Sequence, residues 1–225
     1  MPVITLSRQF GAGGAAIGRI LAERFSASYL DREIVARAAA RAGIPEDEAE
    51  GYDERLPGIW QRVAAALASS APEVAVPAVP SEGLAVAAIG QRLAEVTRAV
   101  IEEEAATGNA VIVGRGGGFV LAGRPDVLRV HLHAALEARI AYLRARVEEA
   151  PPDVRPDDAS LGALCRSIDE ARGRYLKHAF DVDWMDARHY DVTLDTGRLG
   201  LARCVELIET AARHLAAIAA EGRAG

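Results

Sequence analysis

The stretch Ser7-Arg8-Gln9-Phe10-Gly11-Ala12-Gly13-Gly14-Ala15-Ala16-Ile17-Gly18 constrains this chain more than any other. It joins a short β-branched run, Val3-Ile4-Thr5-Leu6, to a segment in which Ile17, Ile20, Leu21 and Phe25 recur at helical spacing. A buried strand that turns through several glycines into an amphipathic helix aims free backbone N–H groups and the positive end of the helix dipole at one point. That point attracts phosphate.

Three readings of the loop are open. A strict P-loop, G-x-x-x-x-G-K-[ST] with Gly13 as its second glycine, would need glycine at Arg8, lysine at Gly14 and a hydroxyl at Ala15, so only Gly13 fits. The dinucleotide fingerprint G-x-G-x-x-A is met by Gly11, Gly13 and Ala16, with Asp31 as the later acid, although Ser26 to Leu30 makes a poor strand to carry it. The third reading is a glycine-rich turn with no ligand.

Composition narrows the setting. The 225 residues suit one α/β domain, 1–225, carrying a helical and proline-rich insertion at about 44–82. A net charge of −6 argues against a general binder of nucleic acid polymers, so any phosphate site must come from arginines gathered locally. No run reaches the length of a membrane span and no secretory leader opens the chain, so the expectation is a cytoplasmic protein with no membrane partner. Cys165 and Cys204 are far apart and form no C-x-x-C, which suggests two reduced structural thiols.

Strands are expected near 2–6, 29–33, 110–113, 127–133 and 190–195, alternating with helices that include about 82–106, one carrying Leu136, Ile140, Leu143 and Val147, 159–180, and a final one with Leu201, Cys204, Val205, Ile208 and Leu215. Asp31 is the expected cap of a helix running to Gly43, and the three prolines of 71–80 exclude regular helix there. Strands alternating with helices imply a parallel sheet covered on both faces, whose ligands sit beyond the carboxyl ends of the strands. The loop after Leu6, the residues around Asp31, the Gly114 to Gly118 loop and the segments after His133 and Asp195 all fall there.

Among these, Arg115 follows a buried strand between Gly114 and Gly116, where a planar guanidinium can grip phosphate oxygens in bidentate fashion. Asp169 and Arg172 stand at i,i+3, with Arg166 three residues earlier, on a face roughly opposite Leu161, Leu164 and Ile168; spacing alone reads as a surface ion pair. Arg139, Arg144 and Arg146 make a cationic stretch that could close over phosphates or could be a solvated face. His131 and His133 share a strand face with no third ligand evident, and Asp181-Val182-Asp183 with Asp186 reads as a polar turn over Trp184.

Taken in order, the loop from Ser7, Tyr29-Leu30-Asp31-Arg32-Glu33, Val113-Gly114-Arg115-Gly116-Gly117 and Tyr190 to Leu199 resemble the cytidylate kinase-like family, in the nucleoside monophosphate kinase branch of the P-loop proteins. The resemblance implies a three-layer α/β fold with a five-stranded parallel sheet, and transfer of the γ-phosphoryl group of ATP, with Mg²⁺, to a nucleoside monophosphate such as CMP or dCMP. It implies donor-phosphate binding by Ser7, Gly11, Gly13 and Gly14. Asp31, Arg115, Asp169 and Arg172 would bind the acceptor, Arg139 would follow the fourth strand as a catalytic cation, and Thr196 and Gly197 would lie near the donor base.

The chain departs from that family in two places: Gly14, Ala15 and Ala16 stand where a P-loop lysine and hydroxyl are expected, and Gly116 replaces the aspartate of a G-R-D motif. Phosphoryl transfer needs cationic stabilisation of the γ-phosphoryl oxygens, so the expectation is that Arg8 supplies it from the other side of the loop. Two other functions stay open at this stage: a nucleotide-binding regulatory module without catalysis, and a dinucleotide-binding oxidoreductase.

Overall fold

A computed structural model describes residues 2–31, 41, 84–148 and 155–221. The helix expected after Asp31, apart from Arg41, and the whole of the 44–82 insertion with its 71–80 proline stretch lie outside the described residues.

Apolar runs form the strands. β1 is Val3–Arg8, β2 Ser28–Leu30, β3 Ala110–Val113, β4 Val127–His133 and β5 Val192–Asp195. They make one five-stranded sheet in the order β2-β3-β1-β4-β5, and every neighbouring pair is parallel. β1 runs two residues further than its apolar run suggests, because β4 is long enough to pair Ser7 with His131 and Arg8 with Leu132. Ser7 and Arg8 therefore belong to a central strand, and the loop proper starts at Gln9.

Helices cover both faces, giving the three-layer α/β arrangement. On one face lie α1 (Gly14–Phe25) and the last helix, whose Ile17, Leu21, Phe25, Cys204, Val205 and Ile208 bury against Ile4, Leu6, Val111 and Val130. On the other lie α2 (Leu84–Ala106) and the one-turn α3 (Gly117–Val120), where Val100, Ile101 and Leu121 meet Val3 and Ile112. Beyond β4, α4 (Leu136–Val147) and α5 (Asp158–Phe180) form a helical pair with its own apolar cluster of Leu143, Val147, Leu161, Leu164, Cys165 and Ile168. Phe10, from the glycine loop, belongs to that cluster. After β5 come α6 (Thr196–Leu199) and α7 (Leu201–Glu221).

Local chemistry explains the ends. α5 starts where the Asp157 carboxylate accepts from the Ser160 N–H at 2.8 Å, and it stops at Asp181, which takes a left-handed conformation. α3 is a helix that propensity would not propose, since it opens on two glycines; the left-handed Gly116 before it turns the chain into that single turn. The free thiols Cys165 and Cys204 are buried in two different clusters.

Candidate active site at the carboxyl edge of the sheet

The strand order lays out the site. Along the carboxyl edge come Asp31 after β2, Arg115 after β3, the glycine loop after β1, and Thr196 after β5.

The loop is clamped from both sides. Gly11 (φ +80°) and Gly13 (φ +73°) take left-handed conformations; a Cβ on Gly11 would lie 3.1 Å from the Arg139 Cβ, and one on Gly13 would lie 2.5 Å from a Leu201 methyl. Gly13 caps α1 with no side-chain bond, so the first-turn N–H groups of α1, from Gly14 onward, are spared by the helix itself. At Phe10 both main-chain groups are taken: its N–H donates to Asp169 Oδ1 at 2.8 Å, and its carbonyl accepts from Arg139 Nη1 at 3.2 Å. Arg139 Nη1 also pairs with Asp169 Oδ2 at 2.5 Å, with side chains only 8% and 14% exposed.

Arg139 and Asp169 thus form a buried strut from α4 and α5 to the loop, which overturns the solvated-face and surface-pair readings of their spacing. The helical face that looked free is covered by α4 and by Phe10. Arg166 stays exposed and does not join it. Nor does Arg144, which makes a two-point pair with Asp158, or Arg146, which lies over the Tyr142 ring at 4.7 Å.

Arg8 crosses the end of β3. Its Cγ would sit 2.7 Å from a Cβ on Gly14, so its stem fills the space beside the residue where a P-loop lysine is expected. Its guanidinium then lies over Gly114 and reaches Asp31 Oδ1 at 3.3 Å. Arg172 Nη1 donates to the Arg8 carbonyl at 2.8 Å and stands 3.8 Å from Asp169. Burial pushes the Arg172 guanidinium down to about 9, with Arg8 and Arg115 repelling it and Asp169 and Asp31 acting in the opposite sense. Arg8, Arg115, Arg139 and Arg172 carry four positive charges, and Asp31 and Asp169 carry two negative ones. Such a cluster has positive charge in excess and favours an anionic ligand.

Gly114, Arg115 and Gly116 are consecutive left-handed residues, with φ of +78°, +54° and +68°. This tight bend puts Arg115 at the strand end. Gly116, at the place of the expected aspartate, lies under the Phe180 ring, whose nearest atom is 2.6 Å from where a Cβ would be. An aspartate there would have to displace that ring.

The motifs assign no role to three further residues. Tyr29 donates to Asp31 Oδ2 at 3.1 Å, and the two-residue spacing on one strand face was a usable signal. Tyr175, one helical step beyond Arg172, has its hydroxyl pKa raised by burial against the opposing pull of Arg115 and Arg98. Arg98, on α2, lies 5.9 Å over the Phe180 ring.

The remaining candidates lie around the loop. Ser7 Oγ is 3.2 Å from the Tyr190 hydroxyl, on the β1 face shared with His131 rather than in the loop. Thr196 is 6% exposed and donates to the His133 carbonyl at 3.3 Å, while a Cβ on Gly197 would stand 2.8 Å from the Ala138 Cβ. His131 is 2% exposed, stacked on Tyr190 at 4.8 Å and edge-on to Trp184 at 5.5 Å. No group of three or more His, Cys, Asp or Glu side chains placed to hold a metal occurs among the described residues, and no described helix is long and apolar enough to cross a membrane.

Comparison with known proteins agrees with the fold. The chain is 33% identical over 168 residues to a cytidylate kinase of Symbiobacterium thermophilum, covering 66% of this chain and 73% of that protein. Its fold is that of an uncharacterized protein from Eubacterium ventriosum, with a TM-score of 0.62 at 18% identity, over 95% of this chain and 99% of the other. The profile of the cytidylate kinase-like family matches residues 3–198, and the chain belongs to that family.

Proposed function

We propose that this protein is an ATP-dependent nucleoside monophosphate kinase whose acceptor is CMP or dCMP. The observation that carries the reading is the gathering of Arg8, Arg115, Arg139 and Arg172 around a glycine loop at the helix α1 N-terminus. Two phosphorylated substrates brought to one sheet edge need such an excess of guanidinium. The cytidylate kinase relative supports pyrimidine monophosphate as the acceptor.

In this reading the N–H groups of Gly11, Gly13 and Gly14 hold the donor phosphates, and the donor base lies toward Thr196 and Gly197. Arg115, with Arg172 and the carboxylates Asp31 and Asp169, makes the acceptor side. The acceptor phosphate is ionised at neutral pH, so no general base is needed. Its oxygen attacks the γ-phosphorus, the bond from that phosphorus to the β,γ-bridging oxygen breaks, and ADP leaves with the electron pair. Arg8 lies between the two sides and neutralises charge on the transferring group.

Magnesium supplies further neutralisation of the phosphate oxygens when bound. Asp31 already accepts from Arg8 and Tyr29, and Asp169 from Phe10 and Arg139, so a metal on either carboxylate would compete with those bonds. The metal fits as part of the nucleotide, held by phosphates and water.

The test is ADP release from Mg-ATP against CMP, dCMP, UMP, AMP and GMP, beside an Arg115→Ala variant and a blank without acceptor. Acceptor-dependent release that Arg115→Ala removes supports the kinase and names its acceptor. Release no higher than the blank overturns it. Nucleotide binding without turnover would then favour the regulatory module, which the missing lysine suggests.

A further inference from the structure

The Tyr29 hydroxyl is tied into the site from the side of β2 and α1. It donates to Asp31 Oδ2 at 3.1 Å and stands 3.4 Å from the Ala15 carbonyl in the first turn of α1. The other oxygen of the same carboxylate, Oδ1, holds Arg8 Nη2 at 3.3 Å. The phenol ring is fixed independently: a Cβ on Gly18 would lie 3.0 Å from its Cε2, and Arg19 lies over it at 5.7 Å. Burial first, and then the Asp31 carboxylate, raise the hydroxyl pKa well beyond its usual range, so it remains a donor throughout the working pH range.

An arginine at the end of β1 has many rotamers, and the one adopted lies over Gly114. A carboxylate free to swing would hold that guanidinium loosely, since the Asp31 contact at 3.3 Å is a single one. The hydroxyl removes that freedom, and the ring beneath Gly18 anchors the hydroxyl to α1, the helix that begins at the glycine loop. The chain of contacts α1–Tyr29–Asp31–Arg8 therefore refers the cation's position to the loop it serves.

We propose that Tyr29 is a positioning residue, orienting Arg8 through Asp31 so that the guanidinium stands over the carboxyl end of β3, where the transferring phosphoryl group passes. The proposal rests on the phosphotransfer reading for its kinetic consequence, but the positioning itself is a property of the chain alone.

The experiment is a cycle of Tyr29→Phe, Arg8→Ala and the double variant, in the full chain. Phenylalanine keeps the ring under Gly18 and removes only the hydroxyl. Tyr29→Phe should lower kcat about tenfold, the size of one hydrogen bond to a charged group, with KM values for both substrates nearly unchanged. In the Arg8→Ala background the same substitution should change kcat by less than about twofold. An unchanged kcat in Tyr29→Phe, or an equal loss in both backgrounds, overturns the relay. A second readout is independent of turnover: the Arg8 Nε–Hε resonance in nitrogen-15-labelled protein, assigned by its loss in Arg8→Lys, should report a more mobile guanidinium in Tyr29→Phe. A side chain equally ordered in both proteins overturns the proposal even if no acceptor is phosphorylated, whereas absence of turnover with Arg8 mobilised overturns only the kinase.

Discussion

The guanidinium of Arg8 occupies the space directly above Gly114, so closely that a Cβ there would fall 1.8 Å from Nη1. Gly114 also sits at φ +78°, where a side chain strains the backbone by about 1–2 kcal/mol. Gly114→Ala should lower stability by about that much and displace Arg8 as well. Its kcat should fall toward that of Arg8→Ala, which steady-state assays of the two variants side by side would show.

Arg8 is the cation expected in place of the missing lysine. Removing one such group from the transition state costs about 10²–10³ in kcat. Arg8→Ala should show a loss of that order, and Arg8→Lys a smaller one, since the ammonium keeps the charge but cannot both lie across β3 and reach Asp31. Unaltered turnover in Arg8→Ala would remove Arg8 from the mechanism.

Asp169→Asn keeps the shape and an acceptor for the Phe10 N–H but leaves Arg139, with 8% of its side chain exposed, beside a neutral partner. An unpaired buried charge costs about 3 kcal/mol or more. Urea unfolding should show a loss of that size, and pairing Asp169→Asn with Arg139→Met should recover part of it. Purely additive losses would mean that the two groups do not act as a pair.

His131 has its imidazole pKa lowered to about 4 by burial and, secondarily, by His133. Both ring nitrogens are buried without a hydrogen-bond partner among the described residues. The unfolded chain binds this proton near pH 6.5 and the folded one only near 4, so its contribution to stability is complete above about 6.5 and declines as pH falls toward 4. Integrated across that window the loss is about 3 kcal/mol. Unfolding midpoints at pH 4.5, 5.5, 6.5 and 7.5 should fall with acid in the natural protein, and the slope should flatten in His131→Phe.

The strands were legible because their signal is local. Ala110-Val111-Ile112-Val113 is buried throughout, as a strand covered on both faces must be, and the Ile17, Leu21, Phe25 stripe points into the core. The strand-end rule likewise indicated the neighbourhood of Arg115 and of the loop. What spacing could not reveal was which arginines are covered. Asp169 and Arg172 look like any i,i+3 surface pair until α4 and Phe10 close over them, and that contact joins residues 159 apart in the chain. The same holds for the reach of Arg8 to Asp31, which depends on β3 lying between β1 and β2.

The strut that grips Phe10 by both its main-chain groups has a thermodynamic corollary. In the proposed kinase, a loop already held open by α4 and α5 would lose little disorder on taking up phosphate, so binding should be driven by heat rather than opposed by ordering. The glycines give the loop its shape, and a buried arginine and aspartate would spare a nucleotide the work of making it.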